Sequence, residues 1–301
     1  MPLTKLTSTD AFVVTDIPNV PATGVVRMGK KILQSSAKDL ARSATYTFAV
    51  FGMERSGASA GINAEGEAEA EALASFVDEV ASLDGIDLNP GKGVTASQLA
   101  SLQPAVSGLD TQSLTVAGVV AAATWAVGGP LTGVRIAVEG SGSNPTADVV
   151  ASGLGDAGAT VVAPEPGAKP WAIWGSEADI LVAGSKPGVL NHQGAAMVKA
   201  NTVVPWGPIP VTTKAYLMLE RAGTTVIPDF VSAAGGLVGA YVGTTTSLTS
   251  ERSEAVQNRI LEILGACASH EEGVLMGAFV RAEDFLAGWT DFSPFGRPLA
   301  A

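Results

Sequence analysis

Short runs of apolar, β-favouring residues alternate with helix-length amphipathic segments along most of this chain. In the first third, AFVVTD (11–16) and GVVRMG (24–29) read as strands, Ser36 to Met53 as a helix and Ala60 to Ala64 as a further strand. EGEAEAEALASFVDEVASL then has helical spacing. Glu65, Glu67, Glu69 and Glu71 crowd its start, where acids complement the helix dipole. With no His or Cys beside them they read as a solvated helix start, and no metal site is predicted. IDLNPGKGVTASQL, Ile86 to Leu99, reads as a glycine-rich loop opening into a helix at Thr95 or Ser97. Leu114 to Val127 is an apolar helix stopped by Gly128, Gly129 and Pro130.

The most structured pattern runs from Val134 to Glu165, as strand, glycine turn, helix, strand and acid. A dinucleotide-binding βαβ unit requires that order. Gly140 and Gly142, with Ser143 after them, would bring the backbone close to a pyrophosphate, and the helix would aim its free N–H groups at it. Glu165 follows the second strand, where an acid holds a ribose 2′-hydroxyl and so selects NAD over NADP. The third glycine of the G-x-G-x-x-G pattern is replaced by Pro145. At the first position of a helix the ring would leave room for the pyrophosphate, whereas pointing into the turn it would block it. A plain structural crossover is the alternative reading.

DILVAG, NTVVPW and TTVIPD supply three more strands, and the alternation predicts a parallel, doubly wound sheet from Gly133 to Gly239. From Ser250 the chain reads as helical through Phe285. The expected fold is α/β with two domains: an N-terminal α/β domain (1–112) and a Rossmann-like doubly wound parallel sheet (113–245). A helical C-terminal tail (246–301) is expected to pack back on the first domain.

Composition narrows the partners. Charged residues make up 16% of the chain against about 25% in an average globular protein, which favours a large core or a buried homo-oligomer surface. A net charge of −11 and the lack of a basic stripe exclude nucleic acid. The apolar run before Gly128 is too short for the roughly 20 residues that span a bilayer, so no membrane partner is expected. Cys267, the single cysteine, sits in a helical setting as a buried thiol, and the N-terminus has no signal-peptide pattern. A cytoplasmic location follows as the default expectation.

Several segments together resemble the glutamate, leucine, phenylalanine and valine dehydrogenase family. Asp179 to Tyr241 looks like its cofactor domain, and VIPDFVSAAGG is similar to its VPDxxANAGG signature. Thr115, Gly118 and Val119 match its T-x-x-G-V helix, FAVFGMERSGASAGI the segment ending in GGAKGGI, and DGIDLNPGKGVT its D-I-P-A-P-D-V-x-T loop. The resemblance covers Gly24 to Tyr241. It implies a nicotinamide dinucleotide held by Thr115, Gly140, Gly142, Ser143, Glu165, Gly184 and Ser185, and a small-molecule substrate.

The same resemblance places the family's catalytic lysine on Ser59, its catalytic aspartate on Lys92 and its substrate-carboxylate lysine on Thr47. Two cofactor-side asparagines fall on Pro208 and Ala233. Five losses of this kind predict no ordinary amino acid dehydrogenase activity, because removing a charged catalytic group costs orders of magnitude in rate. Ser59 and Lys92 are then the candidate catalytic positions, with Lys92 as the proton-handling group. Arg27 is a candidate for holding an anion, and His192 a candidate proton carrier or a helix start. Two readings stand. One is a divergent NAD-dependent oxidoreductase acting on an unidentified carbonyl or imine. The other is a pseudoenzyme, a dinucleotide sensor or scaffold subunit without turnover.

Overall fold

The computed structural model describes residues 1–102, 109–162, 170–242, 249–291 and 296–300. The chain divides into two compact units, residues 1–109 with 282–298 and residues 110–281 with 299–301.

The first unit is built on β1 (Leu3–Lys5), β2 (Ala11–Thr15), β3 (Ala22–Gly29), α1 (Gln34–Val50), β4 (Ser56–Asn63), α2 (Glu69–Val80) and β5 (Ile86–Pro90). Its sheet has the order β1-β2-β4-β3-β5, with β2 antiparallel to both neighbours and β3 parallel to both. Strand β4 is longer than expected and starts earlier, because SGASAG carries little β propensity of its own and forms a strand through close packing. A Cβ on Gly57 would lie 1.9 Å from the Ala41 carbonyl oxygen of α1. The segment read as a loop from Ile86 contains β5, an edge strand whose end tolerates Pro90. Apolar side chains of the sheet, α2 and the turn at 97–102 form one core, with Phe76, Leu88 and Leu99 fully buried. On the other side of the sheet, Arg42 of α1 makes a two-pronged ion pair with the fully buried Asp16 (2.7 and 2.9 Å) and donates to the Gly296 carbonyl (2.8 Å). Glu283 accepts from Tyr46 and Arg297, which ties Glu283 and Arg297 to α1.

The second unit begins with α3 (Thr111–Val127), capped by Asp110 and ended by Gly128 in the left-handed conformation (φ 70°). Then follow β6 (Arg135–Val138), α4 (Pro145–Asp156), β7 (Thr160–Val162), β8 (Ile180–Ala183), α5 (His192–Ala195), β9 (Thr202–Pro205), α6 (Thr213–Arg221) and β10 (Thr225–Val226). Helices α7 (Asp229–Ser232), α8 (Gly235–Val238), α9 (Thr249–Cys267) and α10 (Gly273–Trp289) complete it, the end of α10 belonging to the first unit. The sheet is all parallel, in the order β10-β9-β8-β6-β7. This is the doubly wound architecture expected from the alternation of strands and helices.

Helix α3 packs on α4, α8 and α9. Glycines permit close approaches of α3: a Cβ on Gly235 of α8 would meet the Leu114 carbonyl oxygen at 1.9 Å, and one on Gly118 the Ser232 carbonyl oxygen of α7 at 2.6 Å. No helix among the described residues is long and apolar enough to cross a membrane.

Candidate functional site at the switch point of the parallel sheet

In a doubly wound sheet the chain leaves one strand in one direction and returns in the other, and the crevice at that reversal is where ligands bind. Here the reversal lies between β6 and β8, so their C-terminal loops define the candidate site. Strand β6 runs out through Glu139 into a turn in which Gly140 (φ 87°) and Gly142 (φ 79°) adopt conformations that L side chains avoid. Strand β8 runs out through Gly184 and Ser185. The two loops converge, since a Cβ on Gly140 would lie 3.7 Å from that of Ser185.

Glu139 fastens them together. Its side chain is 8% exposed and accepts from the Gly184 N–H (3.2 Å), the Ser185 N–H (3.0 Å) and the Ser185 hydroxyl (2.6 Å). The next loop is held as tightly. Gly184 and Gly207 press on each other, a Cβ on either lying 2.3 Å from a backbone atom of its partner. Beyond Gly207, the backbone of Ile209 takes a positive φ of 50°, unusual for a β-branched residue, and its N–H donates to the buried Asp229 carboxylate (2.8 Å).

The structure thus brings Gly140, Gly142, Ser143, Gly184 and Ser185 to one edge of the sheet. Thr115 lies in α3, with its hydroxyl on the Thr111 carbonyl (3.0 Å) and Gly236 packed against it. Glu165 lies outside the described residues. Pro145 occupies the first position of α4 behind the Asn144 cap, the placement expected to leave room for a pyrophosphate.

A pyrophosphate at this turn needs free backbone donors, and the donors here are engaged. The Gly142 N–H donates to Asp148 Oδ1 (2.6 Å). The Thr146 and Ala147 N–H groups go to Asn144 Oδ1, and the Ser143 and Asn144 N–H groups to the Gly140 carbonyl. Pro145 has no N–H to offer. The strand, glycine turn and helix take the expected path, but their donor set does not fit a pyrophosphate as it stands. Neither Glu139 nor Asp148 belongs to the glycine motif itself. The signal for Glu139 was an acid directly after a buried strand and before the first glycine.

The candidates in the first unit are placed differently. Ser59, in β4, is fully buried, and its hydroxyl has no hydrogen-bond partner. Lys92 is exposed on the loop after β5, its carbonyl accepting from the Met28 N–H (2.8 Å). Thr47 is buried in α1 with its hydroxyl on the Ser43 carbonyl. Arg27 of β3 donates to the Ser36 hydroxyl (3.3 Å), while its Nε and Nη2 are buried without a partner and burial pushes the guanidinium pKa down. In the second unit, His192 is exposed at the start of α5, which Asn191 caps. Among the described residues no group of His, Cys, Asp and Glu could hold a metal ion.

Comparison with known proteins fits this picture. A sequence model of the Glutamate/Leucine/Phenylalanine/Valine dehydrogenase family matches residues 164–271. The NADP-specific glutamate dehydrogenase of Saccharolobus shibatae is 39% identical over 67 residues, a stretch that spans 22% of this chain and only 16% of that protein. In fold, the chain is similar to the hetero-hexameric glutamate dehydrogenase of Thermus thermophilus in its Leu-bound form. That likeness has a TM-score of 0.79 and 22% identity, covering 95% of this chain and 85% of that one. It is also similar to the L-tryptophan dehydrogenase of Nostoc punctiforme, with a TM-score of 0.70 and 21% identity over 96% and 95% of the two chains. The chain resembles the glutamate, leucine, phenylalanine and valine dehydrogenases, in sequence over residues 164–271 and in two-domain α/β fold over nearly its whole length.

Proposed function

We propose that this chain is a dehydrogenase-fold subunit that carries out no amino acid dehydrogenation and acts by binding and assembly. The observation that carries the reading is Ser59. It sits fully buried in β4 at the position the family resemblance gives to the catalytic lysine, and its hydroxyl has no partner. A buried, uncharged hydroxyl cannot take over the proton transfer and charge stabilisation that a lysine amine supplies. The solvated setting of Lys92 and the engaged donors of the glycine turn support the same reading. The buried, unpartnered edge of Arg27 supports retained binding of an anion in the first unit. Assembly draws support from the low charge content and from the hetero-hexameric state of the Thermus protein that the chain resembles.

A second reading, a divergent NAD-dependent oxidoreductase acting on an unidentified carbonyl or imine with Lys92 as the proton-handling group, is favoured by the strand, turn and helix at Gly140.

One assay separates the two. Purified protein is offered NAD⁺ or NADP⁺ with a panel of L-amino acids, and NADH or NADPH with 2-oxo acids plus ammonia and with a wider set of carbonyls and imines. The expected result is no turnover above background, together with an oligomer by light scattering. Turnover that disappears in Lys92→Ala would establish the second reading and overturn the first.

A further inference from the structure

We infer that the Asp148 carboxylate occupies the place of a phosphate oxygen at the glycine turn, taking the Gly142 donor and adding a like charge, so that this side chain opposes dinucleotide binding and its removal restores that donor. Asp148 stands in the first turn of α4, three residues after Pro145. Its Oδ1 accepts from the Gly142 N–H (2.6 Å) and the Ser141 hydroxyl (3.2 Å), donors a phosphate oxygen would use. The outer face of the turn is open, since nothing lies within 4 Å of where a Gly142 Cβ would be. The helix N-terminus favours negative charge, and Asp148 takes that field for itself. A cofactor phosphate arriving there meets a like charge already bonded to the donor it needs.

The carboxylate is also free to leave. Asp148 is exposed, its tether is two hydrogen bonds to the turn, and the turn is held by Gly140 and Gly142 whether or not the carboxylate is present. The Asn144 cap remains in either state, so what Asp148 controls is the Gly142 donor and the local charge. Its loss should therefore change dinucleotide affinity while leaving the fold intact.

This inference goes beyond the proposed function and is tested by binding alone. NADH and ADP-ribose are titrated calorimetrically into the full-length wild type, Asp148→Ala, Asp148→Asn and, as a charge control at the far end of α4, Asp156→Asn. The melting temperature of each variant is recorded to show that it folds. Asp148→Ala is expected to tighten both ligands at least about tenfold, the worth of one charge-assisted hydrogen bond. Asp148→Asn should fall between it and wild type, and Asp156→Asn should match wild type. Equal affinity for wild type and Asp148→Ala, or no binding by any of the proteins, overturns the inference and leaves the proposed function standing. Amino acid turnover by the wild type overturns the proposed function while a tenfold gain in Asp148→Ala would still uphold this one.

Discussion

The three hydrogen bonds to Glu139 make a quantitative test of how the switch point is held. In Glu139→Ala the Gly184 N–H, buried between β6 and β8, loses its acceptor and has no route to water, which costs about 1–3 kcal/mol. The Ser185 N–H and hydroxyl are half-buried and recover part of their bonding from solvent, adding about 1 kcal/mol. The expected loss is about 3 kcal/mol, a large share of the roughly 5–15 kcal/mol that holds a domain together. Glu139→Gln keeps an oxygen facing the two N–H groups, and the Ser185 hydroxyl can turn to accept from the new amide, so its loss should stay near 1 kcal/mol. Urea unfolding measures the stability of each variant, and hydrogen exchange at Gly184 reads the local opening, with protection expected to fall by about two orders of magnitude in Glu139→Ala. A Glu139→Ala protein within about 0.5 kcal/mol of wild type would refute the reasoning. So would a Gln variant as unstable as the Ala variant.

Three further outcomes are expected. Arg42→Met should destabilise the first unit by about 3–5 kcal/mol in urea unfolding, because it leaves the fully buried Asp16 uncompensated, and Arg42→Lys should recover little of the two-pronged geometry. Hydrogen bonds from the Ser8 hydroxyl and from the Ser8 and Thr7 N–H groups hold the Glu79 carboxyl down at about 2. The stabilisation of this contact is present above the ordinary carboxylate range and lost as pH falls toward 2. The Thr7 and Ser8 amide resonances should then titrate with a midpoint near 2 and not near 4.5. Burial pushes the Cys267 thiol pKa up, so a disulfide reagent should label it slowly in the native protein and rapidly in urea.

Much of this fold is legible in the chain because the period of its apolar residues is a local property. The strands at DILVAG, NTVVPW and TTVIPD, the helix closed by Gly128 and the unit from Val134 through Val162 all appear where the pattern puts them, while its closing acid, Glu165, lies outside the described residues. Strand β4 was only partly legible. Its small residues are chosen by the approach of α1, a contact between segments that propensity cannot register. Strand β5 was hidden for a related reason, since Asn89, Pro90 and Gly91 signal a turn and only pairing with β3 makes the preceding residues extended. At the candidate site the glycine turn was readable, but the partners of its N–H groups were not. Glu139 meets Gly184 and Ser185 across 45 and 46 residues of chain, and Asp148 looks from sequence like any helix-favouring acid near an N-terminus. A motif announces the backbone path, while the occupancy of its donors is decided by side chains that the motif does not include.

The mutual contact of Gly184 and Gly207 bears on how the site can move. Each residue already has the smallest side chain available, so neither can shrink to accommodate growth in the other. Mechanically it acts as a rivet between the loops that follow β8 and β9, and Glu139 pins the first of these to β6. The ends of β6, β8 and β9 are therefore joined by direct contacts. A side chain added at either glycine would displace all three ends and not one loop alone.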